Sequence, residues 1–308
     1  MSDNMRVDEA TGTDFVGHEW DGIEELDTPL PRWWLWTFYL TIIWGIVYVV
    51  LYPAWPMVSG ATEGILGWSS RGQLQAELQA EEKRRAPIMA SLSAIPIEAL
   101  PANNELMQRA ISGGAAAFKV HCVQCHGSGG AGSKGYPNLN DDDWLWGGNI
   151  ADINYTLTHG IRNPDHEATR FSQMPAFGEI LSGADIDAVT SHVLSLSGKS
   201  RGNAQGAEIF SQNCAVCHGP AGKGDRKQGA PNLTDGIWLF GGTESDIQMT
   251  IANSRQGVMP RWNDKLDPVT IKMLAAYVWS RGGGEQMPVL ATRSPLTKES
   301  AEGDVAAQ

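Results

Sequence analysis

Cysteine and basic residues are both scarce in this 308-residue sequence, which has four cysteines and 23 lysines and arginines against 35 acidic residues. The formal net charge of −12 argues against a nucleic-acid-binding protein, because such proteins carry a basic patch. No apolar, β-branched run precedes either cysteine pair, which disfavours a thioredoxin-like redox site. The length itself predicts about two domains.

All four cysteines lie in two copies of one short pattern, Cys-x-x-Cys-His. The copies consist of Cys122, Cys125 and His126, and of Cys214, Cys217 and His218. A two-knuckle zinc site has roughly 15–20 residues between its pairs, and the second pair here lies much further downstream. A histidine directly after the second cysteine is typical of haem c, whose vinyl groups bond to the thiols while the imidazole binds iron. The sequence therefore predicts two covalently attached haem c groups.

The similarity between the two copies extends well beyond the cysteines. YPNLNDDDWLWGG at 136–148 matches APNLTDGIWLFGG at 230–242, and FSQMPAF at 171–177 matches QGVMPRW at 256–262. The first copy carries extra residues around 163–171, which predict an inserted loop. Each copy predicts a helix before the cysteines, a loop-rich middle and a closing helix. A haem would supply the apolar centre that such short copies lack.

A long apolar segment precedes the two copies. No charged residue occurs from Trp33 to Thr62, and the most apolar part, at 33–52, matches the roughly 30 Å of a bilayer core. Aromatic residues at both ends are typical of interfacial belts. A cleaved signal peptide would have a shorter apolar region behind a basic start. We therefore expect one uncleaved transmembrane anchor.

These patterns divide the sequence into six parts. We expect a cytoplasmic segment at 1–31, a transmembrane anchor at 32–56, a helical connector at 57–103, a first haem c domain at 104–199, a second at 200–285, and a disordered tail at 286–308. Flanking basic residues do not decide the orientation. Bacterial haem c is attached after export, so we expect both haem domains in the periplasm and the N-terminus in the cytoplasm.

A second axial ligand decides between electron transfer and catalysis at a haem. Both copies place a Met-Pro pair at the equivalent point, so we predict Met174 as the partner of His126 and Met259 as the partner of His218. His166, in the inserted loop, is a rival ligand for the first haem. A dihaem peroxidase, which needs an open iron position, is disfavoured by the two methionines.

Several further residues are candidates for contacts around the haems. We predict that the carbonyls of Pro137 and Pro231 accept from the histidine Nδ1–H groups, although both prolines also suit ordinary turns. Trp144 and Trp238 are predicted near the haem edges or simply in the core. Arg162 and Arg255 are candidates for the haem propionates.

The paired motifs resemble class I, mitochondrial-type cytochrome c domains. Together with the anchor TPLPRWWLWTFYLTIIWGIVYVVLYPAWP at 28–56, they closely resemble the CcoP family, the dihaem subunit III of cbb3-type cytochrome c oxidases of proteobacteria. The resemblance implies an all-α fold with one N-terminal transmembrane helix and two class I cytochrome c domains in tandem.

The same resemblance implies an inner-membrane complex with a monohaem cytochrome c subunit and a haem–copper catalytic subunit. A soluble cytochrome c would donate electrons to this chain, and the complex would reduce oxygen to water in aerobic or microaerobic respiration. The chain itself would be an electron-transfer subunit. The alternative is a free-standing, membrane-anchored dihaem cytochrome that shuttles electrons between other respiratory complexes.

Overall fold

The computed structural model describes residues 6–286. The tail predicted from residue 286 onward lies outside the described residues apart from Gln286. The chain divides into two compact units, Met1–Arg84 and Arg85–Gln308.

The first unit opens with a β-hairpin that the all-α prediction did not include. Strand β1 (Phe15–Trp20) pairs antiparallel with strand β2 (Ile23–Leu26), and Trp20 lies opposite Ile23. Asp21 and Gly22 connect them with φ values of 52° and 85°. An Asp-Gly pair between strands favours this turn because both positions need a positive φ. A second, two-residue pairing joins β3 (Pro56–Met57) to β4 (Gly60–Ala61).

The predicted anchor forms one continuous helix, α1 (Arg32–Leu51), of 20 residues. It begins directly after Pro31, which suits a helix start, and it ends before Pro53, which cannot continue it. None of its residues is buried within the chain. In the part of the chain that the structure describes, α1 is the one helix long and apolar enough to cross a membrane.

The predicted connector is largely helical. Helix α2 (Ser70–Ala94) contains the solvated segment at 71–86, and a 3₁₀ helix follows at Ile97–Ala102. The end of α2 is held within the second unit, where Lys272 Nζ donates to the carbonyls of Leu92 and Ile95 at 2.6 Å each.

The second unit holds the helices expected of two cytochrome c repeats. They are α3 (Asn104–His121), α4 (Val123–His126), α5 (Ile150–His159), α6 (Gly183–Leu196), α7 (Ala204–Asn213), α8 (Ala215–His218), α9 (Glu244–Asn253) and α10 (Pro268–Trp279), with a 3₁₀ turn at Phe177–Glu179. Except at α4 and α8, short polar side chains fix the helix starts by accepting from free backbone amides. Ser182 and Asp185 form a complete capping box at α6, and Asp267 caps α10 ahead of Pro268.

The closing helices are exchanged between the repeats. Helix α10, which ends the second repeat, packs on α3 and α5 of the first, whereas α6, which ends the first repeat, packs on α7 and α9 of the second. Both crossings need a glycine. A Cβ on Gly114 of α3 would lie 2.0 Å from the Met273 carbonyl oxygen, and one on Gly206 of α7 would lie 2.1 Å from the Ala188 carbonyl oxygen.

The short link between the repeats explains this exchange. Helix α6 ends at Leu196 and α7 begins at Ala204, so the two are tethered as neighbours in space. The haem domains predicted at 104–199 and 200–285 therefore describe the repeats in sequence, but the packed halves draw on both ranges.

Two hydrophobic cores result. The first contains Met107, Phe118, Cys122, Ile150, Ile153, Leu157 and most of the buried face of α10, together with Leu92 and Leu100 from the connector. The second contains Phe177, Ile186, Val189, Val193, Leu194, Phe210, Ile247 and Ile251.

Candidate haem sites

Each cysteine motif folds into a single helical turn at the end of a longer helix. At the first, the amides of Cys125 and His126 both bond to the Cys122 carbonyl, at 3.2 and 2.9 Å. The corresponding bonds at the second motif, to the Cys214 carbonyl, have the same lengths. One turn thus brings two thiols and an imidazole together, as haem c attachment requires.

Two proline carbonyls fix the histidine rings. His126 Nδ1 lies 3.1 Å from the Pro137 carbonyl oxygen, and His218 Nδ1 lies 3.0 Å from that of Pro231. Burial lowers the pKa of both imidazoles, and these bonds only partly oppose that shift. Each ring is therefore held neutral, with its Nδ1–H donated and its Nε2 left as a ligand for iron.

Burial favours the neutral thiol at the first cysteine of each motif. Burial, with a smaller contribution from the neighbouring cysteine, raises the pKa of Cys122 and of Cys214 to about 11. Catalytic and redox-active thiols have lowered pKa values instead. All four cysteines are free of disulfides. A thioether bond to haem needs no thiolate at neutral pH once it has formed, so these sites fit haem attachment better than a dithiol switch.

The structure places each methionine with the cysteines of the other repeat. Met259 packs against the first core, which contains Cys122 and Phe118, and Met174 packs against the second, beside Cys214 and Phe210. This packing does not bring together the predicted pairs His126 with Met174 and His218 with Met259. The exchange of closing helices is the cause, because each Met-Pro loop precedes the helix that crosses over.

Buried polar atoms that lack partners support the presence of a further group, at Trp238 beside the second core and at Trp146 outside both cores. Trp238 Nε1 and Trp146 Nε1 are buried without a hydrogen-bond partner, although buried polar atoms are normally satisfied. Trp144 Nε1, by contrast, donates to the Gly283 carbonyl at 2.6 Å. Trp146 was not a candidate in the sequence, where its counterpart in the second repeat is Phe240. Haem propionates are acceptors that would satisfy such indole groups.

The other sequence candidates have protein partners. Arg255 donates to Thr250 Oγ1 and to the Asp246 carbonyl, so it is tied to α9, which ends two residues before it. Arg162 donates to the carbonyls of Gly257 and Ser172. Neither contact tests the prediction that these arginines reach propionates.

His166 is engaged at both ring nitrogens. Its Nε2 lies 2.8 Å from His159 Nδ1, and its Nδ1 lies 3.0 Å from an Arg261 guanidinium nitrogen. No ring nitrogen is left for iron in this arrangement, so the structure does not favour His166 as a rival to methionine.

Family models match three segments of the sequence. The N-terminal domain of cytochrome oxidase-cbb3, FixP, matches residues 12–59. Cytochrome c matches 111–197, and the model described as cytochrome c oxidase, cbb3-type, subunit III matches 202–278.

Whole-chain relatives agree with these matches. The cbb3-type cytochrome c oxidase subunit FixP of Azorhizobium caulinodans is 53% identical over 92% of this chain and 98% of its own. Subunit CcoP of Cereibacter sphaeroides is 51% identical over 88% of this chain and 95% of its own. The chain belongs to the FixP/CcoP family of cbb3-type cytochrome c oxidase subunits.

Membership of the FixP/CcoP family confirms the main predictions from sequence. The chain has two cytochrome c domains in tandem, carries two haem c groups and serves electron transfer in the oxidase. Helix α1 fits the role of membrane anchor within a multisubunit complex.

Proposed function

We propose that this chain is the electron-entry subunit of its oxidase. It accepts electrons from a soluble cytochrome c and passes them to the monohaem cytochrome c subunit and then to the haem–copper catalytic subunit. The observation that carries the proposal is that each core brings together the first cysteine of one motif and a methionine, while the histidine of the same motif donates its Nδ1–H to a proline carbonyl. Histidine and methionine together fill both axial positions of a haem iron, which suits electron transfer rather than oxygen binding.

The packing of the two methionines supports an assignment of the axial ligands. We infer that His126 and Met259 bind one iron and that His218 and Met174 bind the other. Cys122 and Cys125 attach the first haem, and Cys214 and Cys217 attach the second. A thioether ligand raises the reduction potential of both haems relative to bis-histidine ligation, which suits a relay near the oxidising end of a respiratory chain.

A spectral label distinguishes this pairing from the sequential one. Cys122→Ala would leave its haem with one thioether and one intact vinyl group, which red-shifts the ferrous absorption band of that haem alone. Met259→His, added to this variant, should lower the potential at which the shifted band titrates, because imidazole favours ferric iron. A change in the unshifted band instead would restore the pairing of His218 with Met259. Cys214→Ala combined with Met174→His is the mirror-image test.

We propose that the two haem cores lie in the periplasm and that the N-terminal hairpin lies in the cytoplasm. The support is chemical, since haem is attached to Cys-x-x-Cys-His after export. A reporter active only in the periplasm should work when fused after the last residue and should be silent when fused before Arg32. The opposite result would contradict the proposed orientation.

The electron route is tested by comparing two donors on the assembled oxidase. Met174→His keeps the haem six-coordinate but lowers its potential, so oxygen consumption with soluble cytochrome c should fall steeply. A small artificial reductant that reaches downstream haems directly should still support turnover. Arg109→Gln, on the exposed side of α3, serves as the control. Equal losses with both donors, or no loss with either, would mean that electrons do not enter here. Purification without haem b and copper would favour the free-standing cytochrome.

A further inference from the structure

The first repeat contains nine residues, 161–169, that the second repeat lacks. Arg170 and Arg255 occupy equivalent places, because each stands four positions before a Met-Pro pair and donates to the carbonyl of an equivalent aspartate, Asp152 or Asp246. In the second repeat Arg255 directly follows Ser254. In the first, residues 161–169 intervene between Gly160 and Arg170. We call these nine residues the inserted loop.

The two ends of the inserted loop lie next to each other. The Arg170 amide bonds to the Gly160 carbonyl at 3.1 Å, and the Arg162 amide bonds to the Arg170 carbonyl at 2.8 Å. Within the loop, the Asn163 amide bonds to Thr169 Oγ1 at 3.0 Å, and Tyr155 on α5 donates to the Ala168 carbonyl at 2.9 Å. The loop is therefore an ordered excursion, and its removal would leave two ends that are already neighbours.

The start of the inserted loop holds the backbone of Met259. The Ile161 amide bonds to the Met259 carbonyl at 2.9 Å, and the Met259 amide bonds to the Ile161 carbonyl at 3.0 Å. Arg162 adds a charged donor, with its Nε 2.7 Å from the Gly257 carbonyl oxygen. These three bonds fix the backbone at Gly257 and Met259, and so determine where the methionine side chain lies.

The Arg162 guanidinium is half-buried, and no described carboxylate lies within ion-pair distance of it. It is satisfied instead by main-chain carbonyls, because its second nitrogen donates to the Ser172 carbonyl at 3.2 Å. Burial lowers the pKa of this guanidinium. Burying the guanidinium costs free energy, but its charge makes its hydrogen bonds to the carbonyls stronger than those of a neutral donor.

The middle of the inserted loop holds the other side of the same methionine. His166 lies 3.0 Å from a guanidinium nitrogen of Arg261, two residues after Met259, and its ring stacks on His159 of α5 with centroids 5.1 Å apart. Arg261 also pairs with Asp264 at 2.6 Å. The loop thus contacts residues 257, 259 and 261, which frame the methionine on both sides.

The loop of Met174 has weaker support. Among the described residues, the Ser254 hydroxyl donates to the Met174 carbonyl, and Arg162 donates to the Ser172 carbonyl two residues earlier at 3.2 Å, a longer bond than the 2.7 Å to Gly257. Within this part of the chain, the Met174 amide has no partner like the Ile161 carbonyl that holds the Met259 amide. Ser254 occupies the place of Gly160, where the second repeat continues without an insertion. The two distal methionines therefore have the same side chain and the same following proline but different backbone restraint.

We infer that the inserted loop is a clamp that holds Met259 on the iron of the haem attached at Cys122 and Cys125, with Arg162 and His166 as positioning residues. The clamp makes Met259 harder to displace than Met174, so that external ligands enter the second haem first. This inference rests on the proposed ligation of the first haem by Met259.

Ligand competition on the haem-loaded, solubilised complex tests the clamp. Binding of added imidazole to ferric haem requires the methionine to leave, so its rate reports how firmly the methionine is held. The Cys122→Ala label shows which haem responds. In the chain that carries the Cys122→Ala label and no other change, the unlabelled haem should bind imidazole first. Arg162→Gln, or removal of residues 161–169, should speed binding at the labelled haem on the order of tenfold, the effect of one charged hydrogen bond.

Three further variants make the result decisive. Arg162→Lys, which keeps the charge and one donor, should restore part of the slow binding, whereas Arg109→Gln should change neither haem. Ser254→Ala should speed binding at the unlabelled haem alone. If removal of the loop prevents haem loading, the two Arg162 substitutions decide.

Met259→Ala separates failure of the clamp from failure of the ligand assignment. If that variant does not speed imidazole binding at the labelled haem, the ligation proposed above is wrong. If it does speed binding there, but the Arg162 and loop variants bind imidazole at the rate of the chain that carries the label alone, the inserted loop does not act as a clamp.

Discussion

The two cores hold the same kind of site, but the segments that pack around each site differ. Each has a histidine Nδ1 within 3.1 Å of a proline carbonyl and a first cysteine at the end of a helix. The helix before the cysteines, however, has 18 residues in the first repeat and 10 in the second. The first core also gains Leu92 and Leu100 from the connector. Local sequence thus fixes the ligand geometry, while more distant segments decide how firmly it is held.

The largest test of this comparison is removal of one haem. Cys122→Ala with Cys125→Ala should abolish attachment at the first core and remove most of its apolar centre. Because α10 crosses over, hydrogen exchange should accelerate in α3, α5 and α10. The free energy of local opening there should fall by several kcal/mol, out of the ~5–15 kcal/mol that stabilise a typical domain. Helices α6, α7 and α9 should keep their protection.

The matched variant, Cys214→Ala with Cys217→Ala, should give the converse pattern. Protection that is lost together from α3 and α6, the opening and closing helices of one repeat, would contradict the exchanged arrangement.

A smaller effect is expected at the helix crossing of the first core. Gly114→Val would place a branched side chain against the Met273 carbonyl, whose oxygen would lie only 2.0 Å from the added Cβ. The substitution should cost about 3 kcal/mol in the free energy of unfolding. Gly113→Ala is the control. Its Cβ would meet the flexible Met273 Sδ, so we expect a change below about 1 kcal/mol. Denaturant titration of the haem-loaded chain measures both, and equal costs would mean that α3 does not cross α10 at Gly114.

Much of the site could be predicted from short patterns because its geometry is local. The cysteine turn, the proline carbonyl and the anchor helix each depend on residues that are near one another in the chain. The hairpin at β1 and β2 could also have been predicted, since Asp21-Gly22 favours its turn. The feature that these short patterns do not reveal is the core against which each methionine packs. Comparing repeats shows that Met174 and Met259 are equivalent, but not which core each enters.

The signal for the exchange was the short link between Leu196 and Ala204, which tethers α6 to α7. That restraint acts on whole helices and leaves no pattern at the ligands themselves. The support of Met259 by the inserted loop could not be predicted either, because Ile161 and Met259 meet only once α10 has crossed over.

The smallest expected effect concerns a position where the repeats differ in charge. Asp143 precedes Trp144, whereas Ile237 precedes the equivalent Trp238. Burial raises the pKa of Asp143 to about 6, with further contributions from Asp235 and Asp141. The unfolded chain loses this proton near the ordinary value of 3.8, so the folded state loses stability as the pH rises from about 4 to about 6.

Asp143→Asn should remove this loss. Near neutral pH the variant should be more stable than the parent by about 1 kcal/mol, a figure reduced for the partial exposure of the carboxyl group. Near pH ~4 the two should be equally stable, because the parent carboxyl is then protonated in the folded chain. Urea titrations at both pH values, with Asp142→Asn as the control on the exposed neighbour, measure the difference. A stabilisation that is the same at both pH values would mean that the amide packs better for reasons other than charge, and the pKa of Asp143 would then not be raised.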